Sequence, residues 1–215
     1  MSSILALLLA KFTCWILIFP LETISEVLFD VRACVLAAYM WTGAYKTSPA
    51  VPTIIGSVEQ DVALIGPCIG VKTAVSDHRS SQESNIALRE IASQARVAGM
   101  LGGKAGLVYA HMGDGPGGLA PLRDIVENTP IPITQILPTH MGRTEQLVVE
   151  GIAWASKGGR VDVTANAEAP RVIKRYSDAK ADLSLISVSS DAYGSLPQFN
   201  DAKQLVGYSY SKPTR

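Results

Sequence analysis

Five polar residues whose side chains can do chemistry stand within or directly after apolar, strand-like runs of the sequence. They are Tyr45, Lys72, His111, His140 and Asp191. Two imidazoles and a carboxylate together suit a divalent transition metal such as zinc. A lysine joins such a set only if burial deprotonates it, or if CO₂ converts it into an anionic carbamate whose two oxygens can bridge two metals. Two metals that share a hydroxide supply a nucleophile at neutral pH, so the chemistry indicated is hydrolysis of an amide or ester.

Each of these residues also has an ordinary structural explanation. A lysine in a strand is usually solvent-facing, and a single histidine at a strand end is more often a hydrogen-bonded structural residue than a ligand. An aspartate that follows a strand is often the N-cap of the next helix. Their joint position at strand ends is what favours a shared site.

Two glycine-rich segments formally resemble phosphate-binding loops. Gly113, Gly115 and Gly118 match the spacing of a dinucleotide-binding fingerprint, but Pro116 lies in the turn and no acidic residue ends a strand about 20 positions later. Residues 99–105 resemble a Walker A loop, but the first glycine is one position late and an alanine stands where serine or threonine is needed. Both segments are more typical of tight turns beside a substrate, and a dinucleotide-binding domain is therefore the weakest functional hypothesis.

The elements that must position these residues follow a regular alternation of strands and helices. Short apolar runs bounded by glycine, proline or asparagine predict strands at residues 35–44, 67–75, 105–110, 131–139, 160–165 and 184–190. Between them the sequence predicts a short helix from Ser57 and a helix over 84–98, with Ser84 as its N-cap and Gly99 as its stop. Three further helices are predicted over 118–127, 144–156 and 168–181. The pattern indicates a parallel α/β domain, either a doubly wound sheet or a (β/α)₈ barrel, with its site at the carboxyl ends of the strands.

Composition limits the function classes. Of 215 residues, 19 are Lys or Arg and 19 are Asp or Glu, and a net charge of zero argues against a nucleic-acid binder. Apolar residues make up 47% of the chain, enough for a sizeable core. The three cysteines, Cys14, Cys34 and Cys68, form no CxxC pair. They fit a reducing, cytoplasmic compartment and exclude a zinc site built from cysteines.

The first 34 residues do not resemble the remainder. Residues 4–21 are almost wholly apolar, interrupted by Lys11 and ended by Glu22, which predicts a buried helix. A membrane anchor or secretory signal is the less favoured interpretation, because the start of the chain has no positive charge and no convincing cleavage site follows. We therefore divide the chain into residues 1–34, an apolar N-terminal segment, and residues 35–215, the α/β domain.

Several segments together carry a resemblance to a known family. They are Thr42-Gly43-Ala44-Tyr45, Gly56-Ser57-Val58-Glu59, Gly70-Val71-Lys72, Ser76-Asp77-His78-Arg79, Leu101-Gly102-Gly103-Lys104, His111-Met112-Gly113-Asp114, Leu137-Pro138-Thr139-His140 and Ser189-Ser190-Asp191. Over about residues 40–200 the chain resembles bacterial isoaspartyl (β-aspartyl) dipeptidases of the amidohydrolase superfamily. The resemblance implies a partial (β/α)₈ TIM barrel, about strands 3–8, with a binuclear metal centre, usually zinc. It also implies a small dipeptide substrate whose isopeptide bond runs through an aspartyl β-carboxyl group and is cleaved by a metal-bound hydroxide.

The resemblance also implies roles for individual residues. Lys72 would be a carboxylated lysine that bridges two metals, and His111 and His140 would bind the second metal. Asp191 would bind the first metal, accept the proton of the bridging water and pass it to the leaving amine. Tyr45 would stabilise the developing oxyanion at the scissile carbonyl. The groups that bind substrate carboxylates would be Arg79, Arg143 and Ser195, and His78 would be structural.

The sequence departs from the family in ways that leave alternatives open. The His-x-His pair of the first barrel strand is absent, and the only histidines are His78, His111 and His140. After Asp191 the chain reads Ala192-Tyr193-Gly194-Ser195, where the family has Gly-Asn-Gly-Ser. We expect a chain that is truncated at both ends, with an open sheet edge that makes a homo-oligomer possible. The alternative to an active enzyme is a non-catalytic remnant that retains a partial metal site.

Overall fold

Parallel strands alternate with helices along the part of the chain that the structure describes. The structure is a computed structural model, and it describes residues 12–13, 38–43, 53–80, 82–192, 195–200 and 204–210. The strands are β1 (Phe12–Thr13), β2 (Ala38–Thr42), β3 (Cys68–Val75), β4 (Leu107–Met112), β5 (Ile136–Thr139), β6 (Val161–Thr164), β7 (Ile186–Ser189), β8 (Ser195–Phe199) and β9 (Leu205–Tyr210). The helices are α1 (Val58–Leu64), α2 (Asn85–Gly102), α3 (Ala120–Asn128), α4 (Glu145–Ser156) and α5 (Ala169–Asp178). Short 3₁₀ turns, Ile133–Gln135 and Leu183–Leu185, lead into β5 and β7.

Strands β1 to β5 form one parallel sheet in chain order, and β6 and β7 form a parallel pair. The backbone N–H of Met141 donates to Asp162 O at 3.1 Å, which brings the end of β5 against β6. The six strands and five helices predicted over residues 35–190 are all present, and the parallel α/β class is confirmed. Closure into a barrel stays a prediction.

Local side-chain chemistry starts the helices where the sequence predicts. The hydroxyl of Ser57 accepts from Gln60 N at 3.1 Å, and that of Ser84 accepts from Ala87 N at 3.3 Å. Each bond satisfies one backbone donor that the first turn of a helix leaves unpaired. The hydroxyl of Thr144 does the same for Leu147 N at the start of α4.

Three features differ from the sequence prediction. Helix α2 continues past Gly99 to Gly102 and ends at Gly103, whose φ of 61° is the left-handed conformation that suits glycine. Phe12–Thr13 form a short strand parallel to β2, so the predicted N-terminal helix is wrong at these two residues. The rest of the apolar segment lies outside the described residues. Strands β8 and β9 form an antiparallel hairpin that the sequence reasoning did not predict.

The core lies between the strands and their covering helices. Its largest fully buried side chains include Met40, Met112, Leu122, Ile136 and Tyr176. Among the described residues, none of the helices combines the length and apolar character needed to span a membrane.

Candidate metal centre

Two histidines from neighbouring strands meet in the interior. His111 lies near the end of β4, and His140 directly follows β5. Both are buried, and their rings meet edge to face with centroids 4.3 Å apart. His140 adopts the left-handed conformation, with φ of 65°, and its Nε2 lies 2.9 Å from His111 Nδ1. The sequence prediction that these imidazoles converge is confirmed.

The outer nitrogen of each ring has its own partner. His111 Nε2 is 3.0 Å from Asp77 Oδ2, and His140 Nδ1 is 2.6 Å from Thr164 Oγ1. When the protons sit on these outer nitrogens, His111 donates to a carboxylate and His140 to a hydroxyl. The inner nitrogens, which lie 2.9 Å apart, are then both unprotonated and able to accept a metal ion. This is the arrangement of metal-ligating histidines, whose second nitrogen is oriented by a carboxylate or another acceptor.

Burial keeps both imidazoles neutral. Desolvation, assisted by nearby Arg143 and Lys72, lowers the pKa of His111 to about 3. Desolvation, then His111 and Arg143, lowers the pKa of His140 as well. Neutral imidazole is the form that binds a metal ion. In the metal-free protein a proton on one inner nitrogen satisfies the pair, and a metal ion would replace that proton.

Lys72 lies inside β3, buried and close enough to affect both histidines. Burial lowers its pKa to about 7, with Asp191 acting in the opposite direction. A lysine with a lowered pKa is neutral more often at neutral pH than an exposed lysine, and only the neutral amine can react with CO₂. Carbamate formation at Lys72 stays a prediction.

Asp191 follows β7 in a left-handed conformation, with φ of 47°. Burial raises the pKa of this carboxyl group, whereas Lys72 and Arg143 act to lower it. A cavity of about 340 Å³ is lined by Asp191, His140, Arg143 and Thr164. Asp191 and His140 therefore face one common space.

The two predicted substrate-binding arginines gather around His111. Arg79 holds Asp77 with a fork of two hydrogen bonds, from Nε and Nη2, each 2.9 Å long. Its Nη2 is also 2.9 Å from His111 Nε2. Arg143 Nη1 donates to Met112 O at 2.6 Å and lies 3.2 Å from His111 Nε2. Both guanidinium groups therefore lie at the site, and their contact with a substrate stays a prediction.

The structure describes only some of the remaining predicted residues. Tyr45 lies outside the described residues. Ser195 is the first residue of β8, and its predicted contact with a substrate stays a prediction. His78 is largely exposed, with its Nδ1 3.7 Å from Asp77 Oδ1, and lies outside the histidine pair. Within the described ranges, no three His, Cys, Asp or Glu side chains converge closely enough to hold a metal by themselves. The two imidazoles fit a metal ion, and Lys72 or Asp191 would have to complete its ligands.

Sequence reasoning assigned no role to two buried aspartates at this site. Asp77 lies two residues after the end of β3, and the strand-end rule that identified His111 and His140 would have found it too. Asp162 interrupts the apolar β6 and accepts hydrogen bonds from several hydroxyl groups, described below. The presence of a charged residue, Asp162, inside an apolar strand is the sequence feature that could have identified it.

The glycine-rich segments are structural in the described fold. The backbone N–H groups of Gly113 and Gly115 donate to Val75 O and Ser76 O, at 3.0 and 2.8 Å, and so fasten the loop after β4 to the end of β3. Lys104 Nζ donates to two carbonyls at the end of α1, Val62 O at 2.6 Å and Ile65 O at 2.7 Å. These bonds occupy the groups that a phosphate would need, which argues against dinucleotide binding.

Two solved structures show what this chain is similar to. One is the β-aspartyl dipeptidase of the thermophilic, keratin-degrading Fervidobacterium islandicum AW-1 in complex with a β-Asp-Leu dipeptide, at 37% identity and a TM-score of 0.78 over 89% of this chain. The other is a β-aspartyl dipeptidase structure from the same organism, at 35% identity and a TM-score of 0.75 over 81% of this chain. The matches cover 52% and 48% of those chains, so this chain spans about half their length. No protein-family model matches the chain.

Proposed function

We propose, from the confirmed resemblance to β-aspartyl dipeptidases, that this chain is a metal-dependent hydrolase of β-aspartyl dipeptides. The observation that carries the proposal is the pair of facing nitrogens, His111 Nδ1 and His140 Nε2, whose outer ring nitrogens are held by Asp77 and Thr164. The substrate class rests on the neighbouring structure, which holds β-Asp-Leu. The parallel strands β2 to β7 would then be strands 3–8 of a (β/α)₈ barrel.

In this proposal His111 and His140 hold a zinc-type ion, with Lys72 as a carbamate and Asp191 beside it. When bound, such an ion acts as a Lewis acid and makes water a nucleophile at neutral pH. Asp191 accepts the proton of the attacking water at a carboxylate oxygen and delivers it to the leaving amine. Burial raises the pKa of Asp191, which makes it a better proton acceptor than an exposed carboxylate.

The remaining residues bind and orient the substrate. Tyr45 donates to the scissile carbonyl, where negative charge develops. Arg79, Arg143 and Ser195 bind the substrate carboxylates, and the planar fork of arginine matches a carboxylate oxygen pair. Because Asp77 already occupies the fork of Arg79, a substrate carboxylate competes with Asp77 for that guanidinium.

The histidine count limits the metal content. Two of the three histidines form the described pair, and His78 is exposed, so the chain holds no histidines for a separate His-x-His site. We expect one metal ion per chain and at most weak hydrolysis of β-aspartyl dipeptides. A chain that binds one metal without any turnover would instead be the non-catalytic remnant.

The test is titration of the full chain with Zn²⁺ by calorimetry, followed by hydrolysis of β-Asp-Leu with and without a chelator. His111→Ala should weaken Zn²⁺ binding at least about 100-fold, because it removes one of few ligands. His78→Ala is the matched control and should bind like the parent chain, because His78 lies outside the pair. Equal affinity of both variants, or no Zn²⁺ binding by the parent, would refute the metal site.

A further inference from the structure

Asp162 is a buried carboxylate that the proposed reaction does not use. It lies in β6 with 2% of its surface exposed. Four hydroxyl groups surround it: Thr139 and Ser189 at 2.6 Å from Oδ2, Tyr109 at 3.3 Å from Oδ2, and Ser187 at 2.7 Å from Oδ1. These donors lie on three other strands, β4, β5 and β7. One side chain therefore links four strands.

Keeping a carboxylate at this depth is costly, because water no longer solvates its charge. Burial accordingly raises the pKa of Asp162, and the hydroxyl groups of Ser189, Thr139 and Ser187 act to lower it. A neutral side chain would avoid the desolvation cost. A carboxylate has two oxygens that accept several hydrogen bonds at once, and this matches the four hydroxyl groups that surround Asp162.

The bonds of Asp162 surround His140. Thr139, directly before His140, donates its hydroxyl to Asp162 Oδ2. Met141, directly after it, donates its backbone N–H to Asp162 O at 3.1 Å. The left-handed φ of His140 is unfavourable for a residue with a side chain, and such strain persists only where neighbours hold it. Asp162 holds Thr139 through its carboxylate and Met141 through its backbone carbonyl, and only the first of these bonds depends on the side chain.

Hydrogen bonds between β6 and its neighbours also involve the ring of His140 and the strand that precedes Asp191, β7. Thr164, two residues after Asp162 on β6, contacts His140 Nδ1 at 2.6 Å. Ser189, two residues before Asp191, donates its hydroxyl to Asp162, and its carbonyl accepts from Ala165 N at 2.7 Å. The position of β6 therefore affects the approach of both predicted ligands to the site.

We infer that Asp162 is a positioning residue that fixes the left-handed turn at His140, and with it the direction of Nε2 towards His111, while it aligns β7 and Asp191. The functional meaning of this role rests on the proposed metal site. The geometric role is independent of metal. The hydroxyl groups of Thr139 and Ser189 transmit the effect, whereas that of Ser187 does not, because no predicted ligand stands beside Ser187.

The first measurement uses the metal-free full chain. Long-range ¹H–¹⁵N NMR spectra report the tautomer and hydrogen bonding of the His140 ring in the parent and in Asp162→Asn. We expect the Asp162→Asn spectrum to show changed His140 nitrogen shifts, because asparagine has one acceptor oxygen where the carboxylate has two, so the hydroxyl groups of Thr139, Ser189 and Ser187 can no longer all keep their acceptor. Unchanged shifts would overturn the inference whether or not the chain binds metal.

The second measurement is the affinity for Co²⁺, followed by its visible absorption. Asp162→Asn should weaken Co²⁺ binding about 10- to 100-fold, the range found when groups that orient metal ligands are removed. Thr139→Val and Ser189→Ala should weaken binding about tenfold, and the matched control Ser187→Ala should leave it unchanged. A merely structural network would lower thermal stability in all four variants without this ordering of affinities, and that result would refute the inference.

The outcomes separate the two proposals. A parent chain that binds no Co²⁺ refutes the proposed metal site, and the NMR comparison still decides the role of Asp162. If Asp162→Asn does not fold, Thr139→Val against Ser187→Ala carries the comparison. Asp124→Asn serves as a control for loss of a remote carboxylate, since Asp124 pairs with Arg89 away from the site.

Discussion

Asp77 contacts both a predicted substrate-binding arginine, Arg79, and a predicted metal ligand, His111. Its carboxylate accepts a fork of hydrogen bonds from Arg79 and contacts His111 at 3.0 Å, and Arg143 Nη1 lies 3.5 Å away. The hydrogen bonds from Arg79 hold the pKa of Asp77 well below its usual range, so the group is a carboxylate at neutral pH. A guanidinium group predicted to bind a substrate carboxylate therefore shares one acceptor with a predicted metal ligand.

Cys68 provides a test of burial at one residue. It is fully buried at the start of β3, and desolvation raises the pKa of its thiol. The thiolate is the reactive form of cysteine, so the folded chain should protect it. In a Cys14→Ser/Cys34→Ser variant, we expect Cys68 to react with Ellman's reagent at least about 100-fold more slowly in buffer than in urea. Equal rates would show that β3 opens freely to solvent.

The pairing of β3 with β4 depends on a close backbone approach. A Cβ atom at Gly70 would lie 2.1 Å from Leu107 O and 2.8 Å from Leu107 N, closer than any real contact allows. These strands carry Lys72 and His111, which are placed by the register that pairs Lys72 with Tyr109 and Ala74 with His111. Glycine at this position therefore serves the alignment of the site as well as the sheet.

Gly70→Ala should separate these strands locally and destabilise the chain. We expect the free energy of unfolding to fall by about 2–3 kcal/mol, the cost of inserting a methyl group where backbone atoms must shift. Urea denaturation followed by circular dichroism measures this change. Gly66→Ala is the matched control, because nothing lies within 4 Å of a Cβ at that exposed glycine, and it should change stability by less than about 0.5 kcal/mol. Similar losses in both variants would contradict the described register.

Strand β7 leaves apolar surface at one side of the molecule. It pairs with β6, and the described ranges place no strand on its other side. Val188 in this strand is 50% exposed, whereas Val163, its partner on β6, is buried. Unpaired strand edges with apolar side chains favour association with a second copy.

We therefore expect the purified chain to associate in a concentration-dependent way, as shown by size-exclusion chromatography with light scattering. Val188→Lys should shift the chain towards monomer, because charged side chains on an edge strand oppose pairing. The matched control is Val149→Lys on α4, where the valine is 53% exposed but lies on a helix. A parent chain that stays monomeric at all concentrations, or a control that dissociates it equally, would contradict an edge-mediated contact.

Much of the architecture follows from the sequence because it depends on short-range patterns. Apolar runs bounded by glycine and proline locate β2 to β7, and Ser57 and Ser84 locate helix starts through bonds within one turn. The convergence of His111 and His140 follows from one rule, that neighbouring parallel strands end at the same edge of a sheet. The sequence by itself therefore determined the order of elements from β2 to β7, the α/β fold class and the meeting of two histidines.

Other features were decided by contacts between residues far apart in the chain. Gly99 lies inside α2 and does not end it. A Cβ at this position would lie 2.7 Å from Gly106 Cα, so the glycine allows the helix to pack closely against the loop that follows it. Which histidine nitrogens face each other depends on Asp77 and Thr164, which lie 34 and 24 residues from their partners. The acceptor role of Asp162 for Thr139, Ser187 and Ser189 likewise joins groups 23 to 27 residues apart. The local spacing of residues in the sequence does not predict such bonds, because they form only when the strands already lie side by side.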